Sequence, residues 1–196
     1  MSTPYPSILL FGPPGSGKGT IGRKLAVVTE QYHLSSGDVF RGLSKESEMG
    51  QMQKSYSDQG LLVPDEITIK ICLNYIKGLI YTNRFYPEKQ HLVLDGFPRT
   101  LPQAKLLATH LDVKQIILLE VPDEEMLIKR LQKRATLEGR LDDMDLSILR
   151  KRMDVYKNQT EEVLSFYPKE IITTINGAQS PNEVFRDVMI KIAAKF

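Results

Sequence analysis

Short runs of consecutive apolar residues alternate along the chain with longer segments in which apolar residues recur at helical spacing. Runs such as LVLD (92–95) and IILLEV (116–121) have almost no polar interruption, which is typical of strands buried on both faces of a parallel sheet. The predicted strands are 7–11, 32–35, 91–94, 115–121 and 170–175. The predicted helices between them are 18–30, 37–58, 65–81, 101–111 and 122–137.

The last segment of the chain, from Ser180 onward, carries clear helix signals. Ser180 and Glu183 have the spacing of a capping box, and Pro181 suits the first turn of a helix. The apolar residues that follow share one helical face: Val184, Phe185, Val188, Met189 and Ile192. The alternation of strands and helices therefore predicts a doubly wound α/β fold.

Composition narrows the class of protein. A chain of 196 residues fits one domain, and 41% hydrophobic with 26% charged residues is ordinary for a soluble globular protein. The net charge of +2 is too balanced to indicate a nucleic-acid or membrane partner. A single cysteine excludes an internal disulfide framework and a cysteine-rich zinc site. We expect a cytoplasmic monomer, with no signal peptide in the N-terminal sequence.

The stretch ILLFGPPGSGKGT (8–20) follows the first predicted strand and opens a helix, as a phosphate-binding loop does. Its glycines let backbone N–H groups surround phosphate oxygens, and Lys18 adds a positive charge. The usual loop has Ser or Thr directly after the lysine, whereas here Gly19 intervenes and Thr20 comes one place later. A glycine-rich turn without a ligand is the alternative. The predicted nucleotide-phosphate residues are Gly15, Ser16, Gly17, Lys18, Gly19 and Thr20.

A second motif, LVLDGFPRT (92–100), places Asp95 at the end of an apolar strand. A carboxylate there can hold Mg²⁺ directly or through its waters. The chain contains no Asn-Lys-x-Asp guanine-reading motif, which argues against a GTPase. A solvent-facing aspartate without a metal role is the alternative for Asp95.

Together with further motifs, these stretches resemble the adenylate kinases of the nucleoside-monophosphate kinase family. The matching stretches, in family order over nearly the whole chain, are GPPGSGKGT, HLSSGDVFR, GLLVPDE, DGFPRT, RLQKR, GRLDD and KRMDVY. The resemblance implies reversible, Mg²⁺-dependent phosphoryl transfer from ATP to AMP giving two ADP, in adenine nucleotide homeostasis. ATP and AMP would be its small-molecule partners, and Mg²⁺ its cofactor.

The resemblance also implies an architecture. It is the P-loop NTPase-like, three-layer α/β fold with a five-stranded parallel sheet, a helical NMP-binding insert and a short lid. Within a single kinase domain over 1–196, the core would comprise 1–35, 66–133 and 145–196. The NMP-binding insert would span about 36–65 and the lid about 134–144. Only ATLEG separates Arg134 from Arg140, which matches the short-lid form, without zinc.

By the same resemblance, specific residues are assigned to each nucleotide. Arg130, Arg134 and Gln179 join the phosphate loop on the ATP side. The AMP side comprises Ser36, Arg41, Leu61, Val63, Gly96, Arg99, Gln103, Arg140 and Arg152. The residues assigned to the transfer itself are Lys18, Arg99, Arg134, Arg140 and Arg152. A solvated helix face is the alternative for each arginine considered alone.

The family's arginine after the paired aspartates is harder to align. In the family this arginine stands eight residues after the paired aspartates. In this chain that position is Lys151, between Arg150 and Arg152. The following MDVY matches the family context, so Arg152 is aligned and a one-residue insertion inferred. Asp142 and Asp143 would pair with lid arginines, or else form a plain exposed acidic turn.

Acceptor specificity depends on Gln103 and Ser36. An amide carries both a donor and an acceptor and so matches the N6/N1 edge of adenine. Thr100-x-x-Gln103 is also a capping-box pattern, which is the alternative use of this amide. Related pyrimidine kinases typically have alanine at the position of Ser36 and asparagine at the position of Gln103. A UMP/CMP kinase and a nucleotide-binding regulator without transfer activity remain the alternative functions.

Overall fold

The computed structural model describes residues 3–139 and 143–193 and contains a five-stranded sheet. All its strand pairs are parallel, so the predicted α/β class is confirmed. Every predicted strand is present, but the fourth begins at Leu111, which was predicted as the end of the helix 101–111, and that helix ends at Leu107. The strands are β1 (Tyr5–Phe11), β2 (Tyr32–Ser35), β3 (Leu92–Asp95), β4 (Leu111–Glu120) and β5 (Ile172–Asn176). Their order across the sheet is β2-β3-β1-β4-β5.

Helices connect the strands and cover both faces of the sheet. Nine α-helices occur in the described ranges: α1 (Lys18–Val28), α2 (Ser36–Arg41), α3 (Glu48–Ser57), α4 (Asp65–Tyr81), α5 (Leu101–Leu107), α6 (Glu124–Glu138), α7 (Leu146–Val155), α8 (Glu161–Val163) and α9 (Pro181–Ile192). A π-helical turn, Tyr156–Thr160, joins α7 to α8. Short 3-10 turns follow at Leu164–Phe166 and Lys169–Ile171.

The apolar strands are buried on both faces because successive side chains point to opposite sides. In β1, Ile8 and Leu10 pack in the core layer against α1 and α9, whereas Leu9 packs in the layer against α4 and α5. Each of the three is at most 3% exposed. The uninterrupted apolar runs thus reflect a sheet with helices on each face, which makes the fold three-layered.

The C-terminal helix forms as its sequence signals predict. The Ser180 hydroxyl accepts from the Glu183 backbone N–H, and the Glu183 carboxylate accepts from the Ser180 N–H, which completes the capping box. Val184, Val188 and Ile192 are buried against the sheet. The amphipathic face of α9 therefore closes one side of the core.

The predicted helix 37–58 is wrong as a single element, since it is divided into α2 and α3. Helix α2 ends with Gly42 as its C-cap, and α3 begins after Ser47. The Ser47 hydroxyl accepts from the Gly50 N–H at 3.0 Å and starts the second helix. The cap is a side chain-to-backbone interaction that competes with helix continuation.

Sequence patterning also missed α7. Asp145 caps this helix by accepting from the N–H groups of Ser147 and Ile148. Leu149 and Met153 pack with Leu127 and Leu131 of α6 in a small separate cluster. This cluster holds α7 beside α6 at the edge of the cleft described below.

In the described part of the chain, no helix has the length and apolar character needed to cross a membrane.

Candidate active site

A cleft of about 500 Å³ opens where the loops following the carboxyl ends of β1, β2 and β3 meet α6 and α7. This edge of a parallel sheet is where ligands bind in doubly wound folds. All the site residues predicted from the sequence that fall in the described ranges line this one cleft. Arg140 and Asp142, and with them part of the predicted lid, lie outside the described residues.

The glycine-rich loop joins β1 to α1 and curls around its own lysine. The Lys18 ammonium donates to the carbonyl oxygens of Gly12 and Pro13 at 2.7 and 2.9 Å. Gly17, immediately before α1, has φ +97°, a conformation that favours glycine. The loop thus presents the N-terminal N–H groups of α1 to the cleft, an arrangement that suits phosphate.

The glycine after Lys18 has a steric explanation. A Cβ placed on Gly19 would lie 3.2 Å from the Asp95 carboxylate oxygen Oδ2. A serine or threonine at this position would therefore crowd Asp95. Close approach of α1 to the end of β3 accounts for the departure from the usual loop pattern, and Thr20 lines the cleft from the first turn of α1.

Asp95 is 9% exposed and stands between the loop and β2. His33 Nε2 lies 3.9 Å from its Oδ2. Burial lowers the pKa of His33, although the nearby Asp95 acts in the opposite direction. The carboxylate lines the cleft and is close enough to Lys18 to raise the pKa of its ammonium.

Lys18 lies in a strongly positive environment. The pKa of its ammonium is lowered to about 8, mainly by burial; Arg99, Arg134 and Arg152 contribute to the lowering, whereas Asp95 opposes it. Burial likewise lowers the pKa of Arg99, and Arg152 adds to that effect. This concentration of cations around one cavity is suited to a polyanionic ligand.

Arg99 is anchored to the segment that follows β3. Its Nε donates to the carbonyl of Gly96 at 2.7 Å, and Nη2 donates to the Ser36 hydroxyl at 3.4 Å. Ser36 in turn donates to the same Gly96 carbonyl at 2.7 Å. From the π-helical turn, the Thr160 hydroxyl donates to the Arg99 carbonyl at 3.0 Å. The backbone and guanidinium of Arg99 are therefore both fixed.

A buried carboxylate joins two arginines on the opposite wall. Asp143 is 0% exposed; its Oδ2 accepts from Arg134 Nε at 2.7 Å, and its Oδ1 from Arg152 Nη1 at 2.6 Å. The alternative of a plain exposed acidic turn is thus wrong for Asp143. Arg152 lines the cleft, whereas Arg150 is exposed.

Arg130 and Gln179 shape the far end of the cleft. The Arg130 guanidinium donates to the carbonyl oxygens of Gly177, Ala178 and Gln179, at 2.7, 3.2 and 3.3 Å. The Gln179 amide donates to Asp187 at 2.8 Å. Arg130 thus braces the turn between β5 and α9, and it shares one face of α6 with Arg134, as the spacing predicts.

The α2–α3 side of the cleft carries Arg41, Leu61 and Val63. Arg41 Nη2 pairs with Asp38 at 2.6 Å on an exposed surface. Leu61, which is 38% exposed, and Val63 supply an apolar wall. This side combines one cation with an apolar surface, a combination that suits a nucleoside monophosphate.

Gln103 is 1% exposed and only partly follows the capping-box expectation. The Thr100 hydroxyl accepts from the Gln103 backbone N–H at 3.2 Å, so the N-cap is present. The Gln103 amide oxygen, however, accepts from the Arg99 N–H at 2.8 Å rather than from Thr100. The amide is therefore not consumed by capping Thr100.

Sequence reasoning did not identify Asp65 and Thr160 as neighbours of the site. Asp65 stands in the quoted stretch GLLVPDE, but only its contacts across the fold, with Thr100 and Gln103, reveal a role. Thr160 reaches Arg99 through a π-helical turn that leaves no signal in the sequence. Such turns are frequent at functional sites.

A parallel α/β sheet with a phosphate loop after its central strand, and an arginine-lined cleft at its carboxyl edge, defines a P-loop phosphotransferase. The family model described as "Adenylate kinase" matches residues 10–172. This chain belongs to the adenylate kinase family and is accordingly a phosphotransferase of the nucleoside-monophosphate kinase class.

Similar proteins extend over most of the chain. The adenylate kinase of Synechococcus sp. (strain JA-2-3B'a(2-13)) is 39% identical over 186 residues, covering 91% of this chain and 92% of that protein. That of Parabacteroides distasonis is 39% identical over 189 residues, with 91% and 93% coverage. That of Bacteroides thetaiotaomicron is 36% identical over 189 residues, with 93% and 95% coverage.

Proposed function

We propose that this protein transfers the terminal phosphoryl group of ATP to AMP, reversibly and with Mg²⁺, giving two ADP. The observation that carries the proposal is a single cleft holding a phosphate loop, two arginine-bearing walls and a buried glutamine. Such transfer requires two nucleotides in line, neutralised charge and little covalent help. Balancing adenine nucleotides in the cytoplasm, as a monomer, is the role we propose for it.

On the donor side, the residues of the loop from Gly15 to Thr20 hold the ATP phosphates. Lys18 contacts the transferred phosphoryl group, since its ammonium is held at the loop's centre by Gly12 and Pro13. Arg130 and Gln179 border the adenosine, while Arg134 faces the phosphates. The proposal is supported by their common position along one cleft wall.

On the acceptor side, Arg41 and Arg99 bind the AMP phosphate, with Gly96 providing close backbone approach. Gln103 and Ser36 border the adenine with Leu61 and Val63. Arg99 is well suited to this role because its guanidinium is already oriented by Gly96 and Ser36. A planar guanidinium pairs with phosphate oxygens and stays charged.

Transfer itself is assigned to cations that converge between the two nucleotides. Lys18, Arg99, Arg134 and Arg152 neutralise the charge of the moving phosphoryl group, with Arg140 as a further member. In the free protein Asp143 serves as counter-ion for Arg134 and Arg152. Phosphate oxygens take over that role when the nucleotides bind.

Asp95 fits a role in holding Mg²⁺ through its water shell. It offers a carboxylate, the ligand type that Mg²⁺ prefers, beside Gly19 of the phosphate loop. Bound with ATP, Mg²⁺ supplies neutralisation of the β- and γ-phosphate charge. Asp95 also keeps a negative charge close to Lys18, which favours the protonated ammonium.

The domain division predicted from the sequence enters the same proposal. The segment 36–65, with α2 and α3, acts as the NMP-binding insert, and the segment about 134–144 as a short lid over the core. Closure of both excludes water, which would otherwise compete with AMP for the phosphoryl group.

An acceptor panel tests this function. The protein is given MgATP with AMP, GMP, CMP or UMP, and the nucleoside diphosphate formed is measured. We expect rapid turnover with AMP. Rapid turnover only with UMP or CMP would identify a pyrimidine kinase, and nucleotide binding without transfer would identify a regulator.

Replacing Gln103 by alanine is expected to weaken the binding of AMP more than the binding of ATP. The amide borders only the acceptor region, so KM for AMP should rise about tenfold or more while KM for ATP changes little. Initial rates with each nucleotide varied in turn measure both values. An equal rise in KM for both nucleotides would show that Gln103 acts mainly by stabilising the fold.

The pH dependence of kcat/KM for ATP should report the protonation state of Lys18. The pKa of about 8 means that the ammonium is charged below that pH and neutral above it. Since ATP is bound by the charged form, kcat/KM for ATP should fall as the pH rises through about 8, whereas kcat falls less because bound ATP favours protonation. The residual activity of Lys18→Arg should not show this fall, because arginine stays charged. A flat wild-type profile up to about pH 9.5 would contradict the assignment.

A further inference from the structure

The Gln103 amide is held in one orientation from both ends. At one end its Oε1 accepts from the backbone N–H of Arg99 at 2.8 Å. At the other end its Nε2 donates to the Asp65 carboxylate oxygen Oδ1 at 2.8 Å. A backbone N–H can only donate and a carboxylate can only accept. Turning the amide over would therefore set donor against donor and acceptor against acceptor.

Asp65 is itself held in place by Thr100. The Thr100 hydroxyl accepts from the Gln103 backbone N–H, so its single hydrogen is available for Asp65, to which it donates at 2.8 Å. One carboxylate oxygen thus receives both the hydroxyl and the amide. This network joins the first turn of α4 to the start of α5.

These two hydrogen bonds leave a defined pattern of free donor and acceptor positions on the Gln103 amide. An amide oxygen can accept twice and its nitrogen can donate twice. After the bonds to Arg99 and Asp65, one acceptor position and one N–H remain. Adenine offers a matching edge, with an amino donor at N6 and an acceptor at N1. Hypoxanthine and guanine carry the reverse pattern there, an oxygen at C6 and a hydrogen on N1.

We propose that Asp65 is a specificity-determining positioning residue, which fixes the orientation of the Gln103 amide so that the site accepts a 6-amino purine and rejects a 6-oxo purine. Asp65 does not line the cleft, whereas Gln103 does, so Asp65 acts through Gln103. The inference rests on the proposed transfer to a purine monophosphate.

AMP and IMP form the decisive substrate pair, because they have the same size and differ at positions 6 and 1 of the base. The measurement is kcat/KM for each acceptor with MgATP, together with KM for ATP, in wild type and variants. For Asp65→Ala we expect the AMP-to-IMP preference to fall about tenfold, since the amide loses one of the two hydrogen bonds that fix its orientation and only the Arg99 N–H still opposes turning. KM for ATP should change by less than about twofold.

Two variants separate hydrogen bonding from charge. Asp65→Asn keeps an oxygen that can accept from Thr100 and Gln103, and we expect it to retain the wild-type preference. Glu66→Ala removes an equivalent acidic charge from the same first turn of α4, at an exposed position, and should also leave the preference unchanged. Asp65→Leu, which fills the space without an acceptor, gives the same test as alanine if Asp65→Ala does not fold.

Several results would overturn the proposal. An unchanged ratio of kcat/KM for AMP to that for IMP in Asp65→Ala or Asp65→Leu would show that Asp65 is not needed to orient the amide. Equal losses in Asp65→Asn and Asp65→Ala, or in Glu66→Ala, would assign the effect to helix charge instead. If the wild type itself does not use AMP, the proposed function fails rather than this inference.

Discussion

Replacing Lys18 by methionine should lower the rate of phosphoryl transfer by about 10³-fold or more, the scale on which removing a preorganised charge at a developing anion acts. Methionine has nearly the same length but cannot neutralise phosphate. It also cannot donate to the Gly12 and Pro13 carbonyls that Lys18 now contacts. Initial rates of ADP formation from ATP and AMP measure the effect.

The fold should survive this change. Lys18 is a cation whose burial is unfavourable, as the pKa of about 8 indicates, so an uncharged side chain of similar size adds no buried charge. Thermal unfolding followed by circular dichroism checks this point. Lys77→Met, at an exposed position of α4, is the matched control and should keep full activity. Substantial turnover by a folded Lys18→Met variant would remove Lys18 from the mechanism.

Replacing Asp143 by alanine should destabilise the free protein by about 3 kcal/mol, because two partly buried guanidinium groups lose the carboxylate between them. For a chain of this size, that corresponds to a fall in Tm of about 6 to 12 °C. Added ATP and AMP should raise the Tm of the variant by more than they raise the Tm of the wild type, because phosphate replaces the missing counter-ion. Differential scanning calorimetry with and without nucleotides measures both effects.

Asp154→Ala is the control for this experiment. Asp154 is an exposed acid on the same helix as Arg152, and its removal should change stability by less than about 0.5 kcal/mol. An equal loss in both variants would indicate a general charge effect on α7. A stable Asp143→Ala protein would show that Arg134 and Arg152 do not need this carboxylate.

Much of the fold follows from local sequence signals. Short β-like runs, two of them apolar almost throughout, predicted the five strands of the sheet, and the capping box at Ser180 marked the start of α9. These signals are readable because neighbouring residues interact within a strand or a helical turn. The break between α2 and α3 was missed because it depends on a cap by Ser47, within a stretch of otherwise helical length.

Those parts of the candidate site that lie in continuous stretches of sequence could be predicted. The glycine-rich loop and the DGFPRT stretch identify a phosphate site and a cation beside it. Their meeting in one cleft follows from parallel strands, whose carboxyl ends share an edge. The sequence also named Gln103 and Ser36, but not Asp65, which orients the Gln103 amide.

The sequence by itself determined the class of fold and the phosphate loop, because these depend on local spacing. Its resemblance to the adenylate kinases supplied the residues to be sought on each side of the cleft. Only the tertiary structure decided that Arg152 rather than Arg150 lines the cleft, and that Asp143 is buried between two arginines. It also revealed the orientation of the Gln103 amide, set by Asp65, which is 38 positions away in the chain. Such choices depend on contacts between elements that only the packed sheet and helices bring together.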